Sequence, residues 1–138
     1  MLLPGLWAGM MLTVGLLAAP SLFATLPAPE AGRAAGRIFA QEAYASLGFA
    51  VLLFFIERRQ ARLAAGAGQG SVLSTNLLLV LGTLFCTVAG YFALQPMMAA
   101  ARAGQGAWSF ATLHAVSAAL FGLKGLLVLT LAWRVTTR

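Results

Sequence analysis

Three ionisable side chains, Glu42, His114 and Lys124, fall inside long apolar stretches of this 138-residue chain. Each costs roughly 2.5–3.5 kcal/mol or more at the centre of a bilayer, so each requires a partner, a route for its polar end to reach water, or a role. With Ile38 and Ser109 taken as membrane boundaries on one side, a rise of about 1.5 Å per residue sets Glu42 roughly 6 Å deep and His114 roughly 8 Å deep. A helix running the other way returns Tyr91 and Gln95 to that layer, and Ser117 follows one turn below His114. The reading is a polar site of Gln41, Glu42, Tyr91, Gln95, His114 and Ser117, flanked above by Arg33 and Arg37. Histidine is the side chain whose charge changes closest to neutrality, so a functional layer of this kind responds to the pH on its side. The plainer alternative has Gln41 and Glu42 facing headgroup water and His114 bonding Gln95 or a backbone carbonyl to hold helices together.

Lys124 lies ten residues beyond His114, and its long stem suggests that the amine reaches along the helix to the far interface. By the same depth estimate Glu42 is too distant to pair with it, which leaves Glu57 as the in-chain candidate. His114, Met97, Met98 and Cys86 are donors suited to Cu(I), but Cys86 is nine residues before Gln95, roughly 13 Å further along a helix. A single histidine supplies no zinc spacing motif. No cofactor is expected; copper, or haem with His114 as axial ligand, is the minor alternative. The lone Cys86 excludes an internal disulfide. The sequence has no aspartate, no second histidine and no glycine-rich phosphate loop, so triads, nucleotide-binding loops and di-metal carboxylate sites are absent and no enzyme is expected.

Elements that position such residues must be membrane helices. The chain is 61% hydrophobic and 9% charged with a mean hydropathy of +0.90, whereas soluble domains carry about 25% charged residues. Apolar periodicity and length predict an all-α membrane protein, a four-helix bundle with antiparallel up-down connectivity, as one domain over 1–138. Its spans fall at about 3–23, 38–56, 75–96 and 108–133, with a mobile loop at 63–74. Leu26-Pro27-Ala28-Pro29 breaks the chain after the first span, and Glu57-Arg58-Arg59-Gln60-Ala61-Arg62 reads as the point where the second helix ends in water. Arg33, Arg37, Gln41, Tyr44 and Gly48 form a polar stripe on that helix. Gly32, Gly36 and Ala40 form a stripe of small residues suited to helix packing, as do Gly82, Gly90, Gly122 and Gly125 elsewhere. No basic region precedes the first apolar run, which is longer than the core of a signal peptide and is expected to be retained as a span.

The net charge of +6 reflects basic residues at span ends, not a nucleic-acid surface. Arg58, Arg59, Arg62, Arg134 and Arg138 share a side with the N-terminus, against Arg33, Arg37 and Arg102. A bacterial inner membrane is expected, and the bias favours both termini in the cytoplasm.

Four segments, Pro20-Ser21-Leu22-Phe23, Ala31-Gly32-Arg33-Ala34-Ala35-Gly36-Arg37-Ile38-Phe39, Gln95-Pro96-Met97-Met98 and Phe110-Ala111-Thr112-Leu113-His114-Ala115-Val116-Ser117, resemble in order and spacing the transmembrane protein 205-like family, domain of unknown function 4149. The resemblance implies a four-span membrane protein without an assigned reaction, whose eukaryotic members are linked to platinum-drug resistance and whose bacterial members distantly resemble copper-resistance membrane proteins. Lys124 departs from the neutral residue expected after the His/Ser motif. Two functions follow as expectations: transport or handling of a small solute, metal ion or toxicant through the polar site, or a non-catalytic accessory, assembly or scaffold subunit. The lipid bilayer is the expected partner, with a homo-oligomer or another membrane protein docking on the small-residue stripe.

Overall fold

The computed structural model describes residues 2–137, which fold into four long helices connected by short loops, with no strand among them. Helix α1 covers Leu3–Thr25, α2 Ala28–Gly66, α3 Thr75–Arg102 and α4 Phe110–Thr137, and each is long and apolar enough to cross a membrane. With 28 residues each, α3 and α4 are about 42 Å long, enough for a hydrocarbon core of about 30 Å and the headgroup layers on either side.

Side-chain contacts give the register. Asn76 meets Arg134, Gly82 approaches Leu127 and Gly90 approaches Leu120, so α3 and α4 run antiparallel. Phe39 packs on Phe121 and Glu42 on Lys124, so α2 and α4 run the same way. One end of the bundle carries the α1–α2 and α3–α4 connections; the other carries the α2–α3 loop together with the start of α1 and the end of α4.

The α2–α3 and α3–α4 connections begin with the same tetrapeptide, Ala-Gly-Gln-Gly, at 67–70 and 103–106. Each helix ends in the same cap. Gly68 and Gly104 adopt φ values of 77° and 75°. The following glutamines donate backbone N–H groups to Ala64 and Ala100, while the glycines donate to Ala65 and Ala101. This is the Schellman geometry, which only a residue without a Cβ adopts without steric cost. Ser74 and Ser109 then cap the next helices by accepting from the Leu77 and Thr112 amides.

Two helices are irregular in the same manner. Thr13–Ala18 in α1 and Val88–Ala93 in α3 are π-helical turns, and each lies just before a proline, Pro20 and Pro96. A proline in a helix lacks the N–H for the i−4 carbonyl and crowds it, and a widened turn relieves both problems without ending the helix. The helix therefore continues through Pro96 to Arg102, beyond the boundary expected from the sequence. The second helix is longer at both ends than expected: 63–66, assigned to a loop, are helical, and Glu57–Arg62 lie within α2. Arginine, glutamine and alanine are good helix formers, so a cluster of charge marks where the helix leaves lipid without stopping it.

The bundle is packed at one end and hollow at the other. Toward the termini, Trp7, Met11, Ala50, Leu53, Val80, Val128 and Leu131 form a buried core, with Trp7 stacked on Phe49 at 5.6 Å. Toward the α1–α2 and α3–α4 connections the helices splay around a cavity.

Candidate functional site

The inner face of α2 is drawn by spacings of three, four and seven residues: Ala35, Glu42, Ser46, Ala50, Leu53, Glu57 and Ala61 are all buried. Glu42 and Ser46 therefore point into the bundle by the same periodicity that buries Ala50 and Leu53. Arg33, Arg37, Gln41, Tyr44 and Gly48, the polar stripe picked out from the sequence, are all exposed.

Where α2 and α4 face each other, Lys124 Nζ donates to Glu42 Oε1 at 2.7 Å, and both side chains are at most 4% exposed. Ser46 completes the arrangement. Its hydroxyl donates to Glu42 Oε1 at 2.6 Å and accepts from the Trp7 indole N–H at 2.9 Å and from Lys124 at 3.3 Å. Three helices are thus tied through one serine oxygen. Oε1 takes both bonds to the carboxylate, and Glu42 and Lys124 both line a cavity.

Lys124 stands 14 residues into the 28-residue α4, near its middle, and about 21 Å from either end. The ion pair lies at mid-bundle depth. This corrects two expectations: Lys124 does not reach to an interface, being 3% exposed, and Glu42 does not share a layer with His114, which lies ten residues, about 15 Å, above Lys124 on the same helix. The boundary assumed at Ile38 caused the error, because α2 is already helical and packed from Ala28. The pairing of Phe39 with Phe121 puts His114 level with Gly32, not Glu42. Glu57, expected in water, is 1% exposed on the same inner face of α2.

Above the ion pair lies a cavity of about 900 Å³. Glu42, Lys124, Cys86 and Thr87 line its inner end, while Arg33, Arg102, Phe110 and Pro29 line its outer end at the helix connections. Its walls include Phe23, Phe39, Phe121 and Met98, with Tyr91, Gln95, His114 and Ser117 as polar points. Five of the six residues grouped from the sequence therefore border one space, spread along its depth. Gln41 does not border it and is exposed. Of the flanking arginines, Arg33 borders the opening and Arg37 does not.

The π-helical turn in α3 has a specific use here. The Gly90 carbonyl lies within that turn, and Ser117 Oγ donates to it at 2.9 Å. A Cβ on Gly90 would meet Leu120 Cβ at 3.1 Å, so glycine permits the approach that this bond needs. Gly82, with Leu127 at 3.1 Å, serves the same helix pair. The Gly32, Gly36 and Ala40 stripe plays no such part within the chain: a Cβ at Gly32 or Gly36 would meet nothing within 4 Å, and both glycines border the cavity. Absent side chains there create volume instead of contact.

His114 stacks on Phe110, and the Arg102 guanidinium lies 4.5 Å over the other partner of that stack, the Phe110 ring. Among the described residues no three His, Cys, Asp or Glu side chains gather as a metal site. Cys86, Met98 and His114 border the cavity, while Met97 is outside it and 40% exposed.

Four helices long and apolar enough to cross a membrane surround a cavity with an ion pair at its inner end. Residues 2–107 match the model of a family described as a domain of unknown function, DUF4149, and the chain belongs to that family. The match covers α1 to α3, so Glu42 lies within it and Lys124 and His114 beyond it. No curated protein and no solved structure matches the chain.

Proposed function

We propose that this protein binds an organic solute within the membrane and handles or transports it from the face where the cavity opens. One observation carries the reading: a cavity of about 900 Å³ that ends on a buried Glu42–Lys124 pair. Small-molecule sites are typically about 300–1,000 Å³, largely apolar, with a few placed polar groups. Ionisable residues inside a membrane domain mark solute and proton pathways. Below the pair the Trp7, Leu53, Val80 and Val128 core closes the path, so transfer across the bilayer requires the pair to part. An organic solute fits this space better than a bare metal ion, for which no cluster of ligands is gathered among the described residues.

Within its family we group the chain with the transmembrane protein 205-like members, on the motifs quoted above. We place it in a bacterial inner membrane and, on the distribution of basic residues, set both termini in the cytoplasm. The cavity then opens on the external side.

Gly36→Trp tests the reading, since Gly36 borders the cavity, a Cβ there meets nothing within 4 Å, and the indole is expected to occupy the space. The variant is expected to retain its folded helical content while losing solute-dependent thermal stabilisation and flux in liposomes. If the wild-type protein shows neither against a library of organic anions, cations and neutral amphiphiles, the accessory-subunit reading replaces this one.

A further inference from the structure

The charges around the cavity are unequal. Arg33, Arg102 and Lys124 border it, and Glu42 is its one carboxylate. Lys124 and Glu42 neutralise each other at the inner end, so the excess positive charge of the lining is at the opening. Arg33 is 76% exposed there and has a loose contact with Glu30 at 3.6 Å. Arg102 has no salt bridge to a carboxylate among the described residues, and its guanidinium lies 4.5 Å over the Phe110 ring. Guanidinium groups present several donors in a fixed plane suited to carboxylate or phosphate oxygens. The ends of α3 and α4 reach the headgroup layer, which is the depth of an amphiphile's polar group. From there to Lys124 is about 21 Å, bordered by Phe110, Phe23, Phe39 and Phe121.

We propose that the ligand is an anionic amphiphile, its carboxylate or phosphate held between Arg33 and Arg102 and its hydrocarbon body lying along the phenylalanine walls toward the Glu42–Lys124 pair. This rests on the binding role proposed above and adds the ligand's class and orientation. A cationic amphiphile meets like charge at the opening and finds Glu42 already engaged. A neutral one leaves both arginines unused. Because the cavity is blind, chain length beyond its depth brings no further affinity.

The test uses the full-length protein in phosphatidylcholine nanodiscs with radiolabelled dodecyl phosphate, dodecanol and dodecyltrimethylammonium, and Gly36→Trp as the blank for partitioning into lipid. Dodecyl phosphate is expected to bind at least about tenfold more tightly than either of the others, the equivalent of one charge-assisted contact. Arg33→Gln combined with Arg102→Gln should remove that advantage and leave dodecanol binding unchanged. Equal binding of the three probes, or no effect of the double variant on dodecyl phosphate, overturns the ligand class, while binding that Gly36→Trp abolishes still upholds the cavity's role. Absence of all specific binding overturns both. Phosphatidylglycerol added to the disc distinguishes the source: competition identifies a membrane lipid, and no competition an amphiphile arriving from water, both of which carry the anionic group proposed.

Discussion

Lys124→Met separates a structural ion pair from two polar groups that happen to lie together. At 2.7 Å and an effective dielectric of about 20, the gross attraction is about 6 kcal/mol. Desolvation of two ions offsets most of that, and removing one partner of a buried pair costs about 3–5 kcal/mol because a charge is left without its counter-ion. Unfolding within a bilayer keeps the helices inserted, so part of the penalty persists in the reference state and the lower figure of about 3 kcal/mol applies. Steric trapping in bicelles measures it. Lys124→Met and Glu42→Leu are each expected to lose about 3 kcal/mol. The pair of substitutions together should return to within about 1 kcal/mol of wild type, since two apolar side chains of similar volume are tolerated where one stranded charge is not. If either single variant matches wild type, or the double variant loses the sum of the two, the pair is not a coupled element and the argument that it closes the cavity fails.

Ser46→Ala strands the Trp7 indole N–H, which has no other acceptor among the described residues, and is expected to cost about 1–3 kcal/mol in the same assay with a shift in Trp7 fluorescence. Gly90→Val drives a side chain into Leu120 Cβ and should cost about 1–3 kcal/mol while breaking the Ser117 bond to the Gly90 carbonyl. Gly15→Ala meets only the Phe121 ring edge at 3.0 Å. That ring borders the cavity and has space to swing, so a small loss under about 1 kcal/mol is expected, with reduced dodecanol capacity as its readout. A Gly68→Ala change should weaken the cap of α2 by about 1 kcal/mol, as φ of 77° demands, and hydrogen exchange at Gln69 reports it.

Four spans are legible in hydropathy because nothing but lipid suits stretches so poor in charge. Their ends are less so. The charged run at Glu57–Arg62 signals an interface, and reading it as a helix terminus confuses solvent with conformation. Membership of the polar site was partly legible: Tyr91, Gln95, His114 and Ser117 sit near the α3–α4 connection, where sequence distance from a short loop is a sound ruler. Glu42 is misplaced by the sequence reading because α2 has no such ruler at Ile38, and an error of about eleven residues shifts it by about 16 Å. The spacing from Glu42 through Ser46, Ala50, Leu53 and Glu57 carried the missing signal, since it alone continues an apolar inner face. The cavity itself is not written in any pattern. It arises where Gly32 and Gly36 meet no neighbour and two proline-linked turns widen their helices.

The ion pair joins residues 82 positions apart, which sets an order on biogenesis. At about 5–20 residues per second, synthesis of Lys124 follows that of Glu42 by about 4–16 s. During that interval the first helical hairpin holds an unpaired carboxyl group with no cation of α4 to receive it. The first two spans therefore enter the bilayer before the cation that pairs with Glu42 has been made, and arrival of the fourth helix supplies the contact that fixes its rotation.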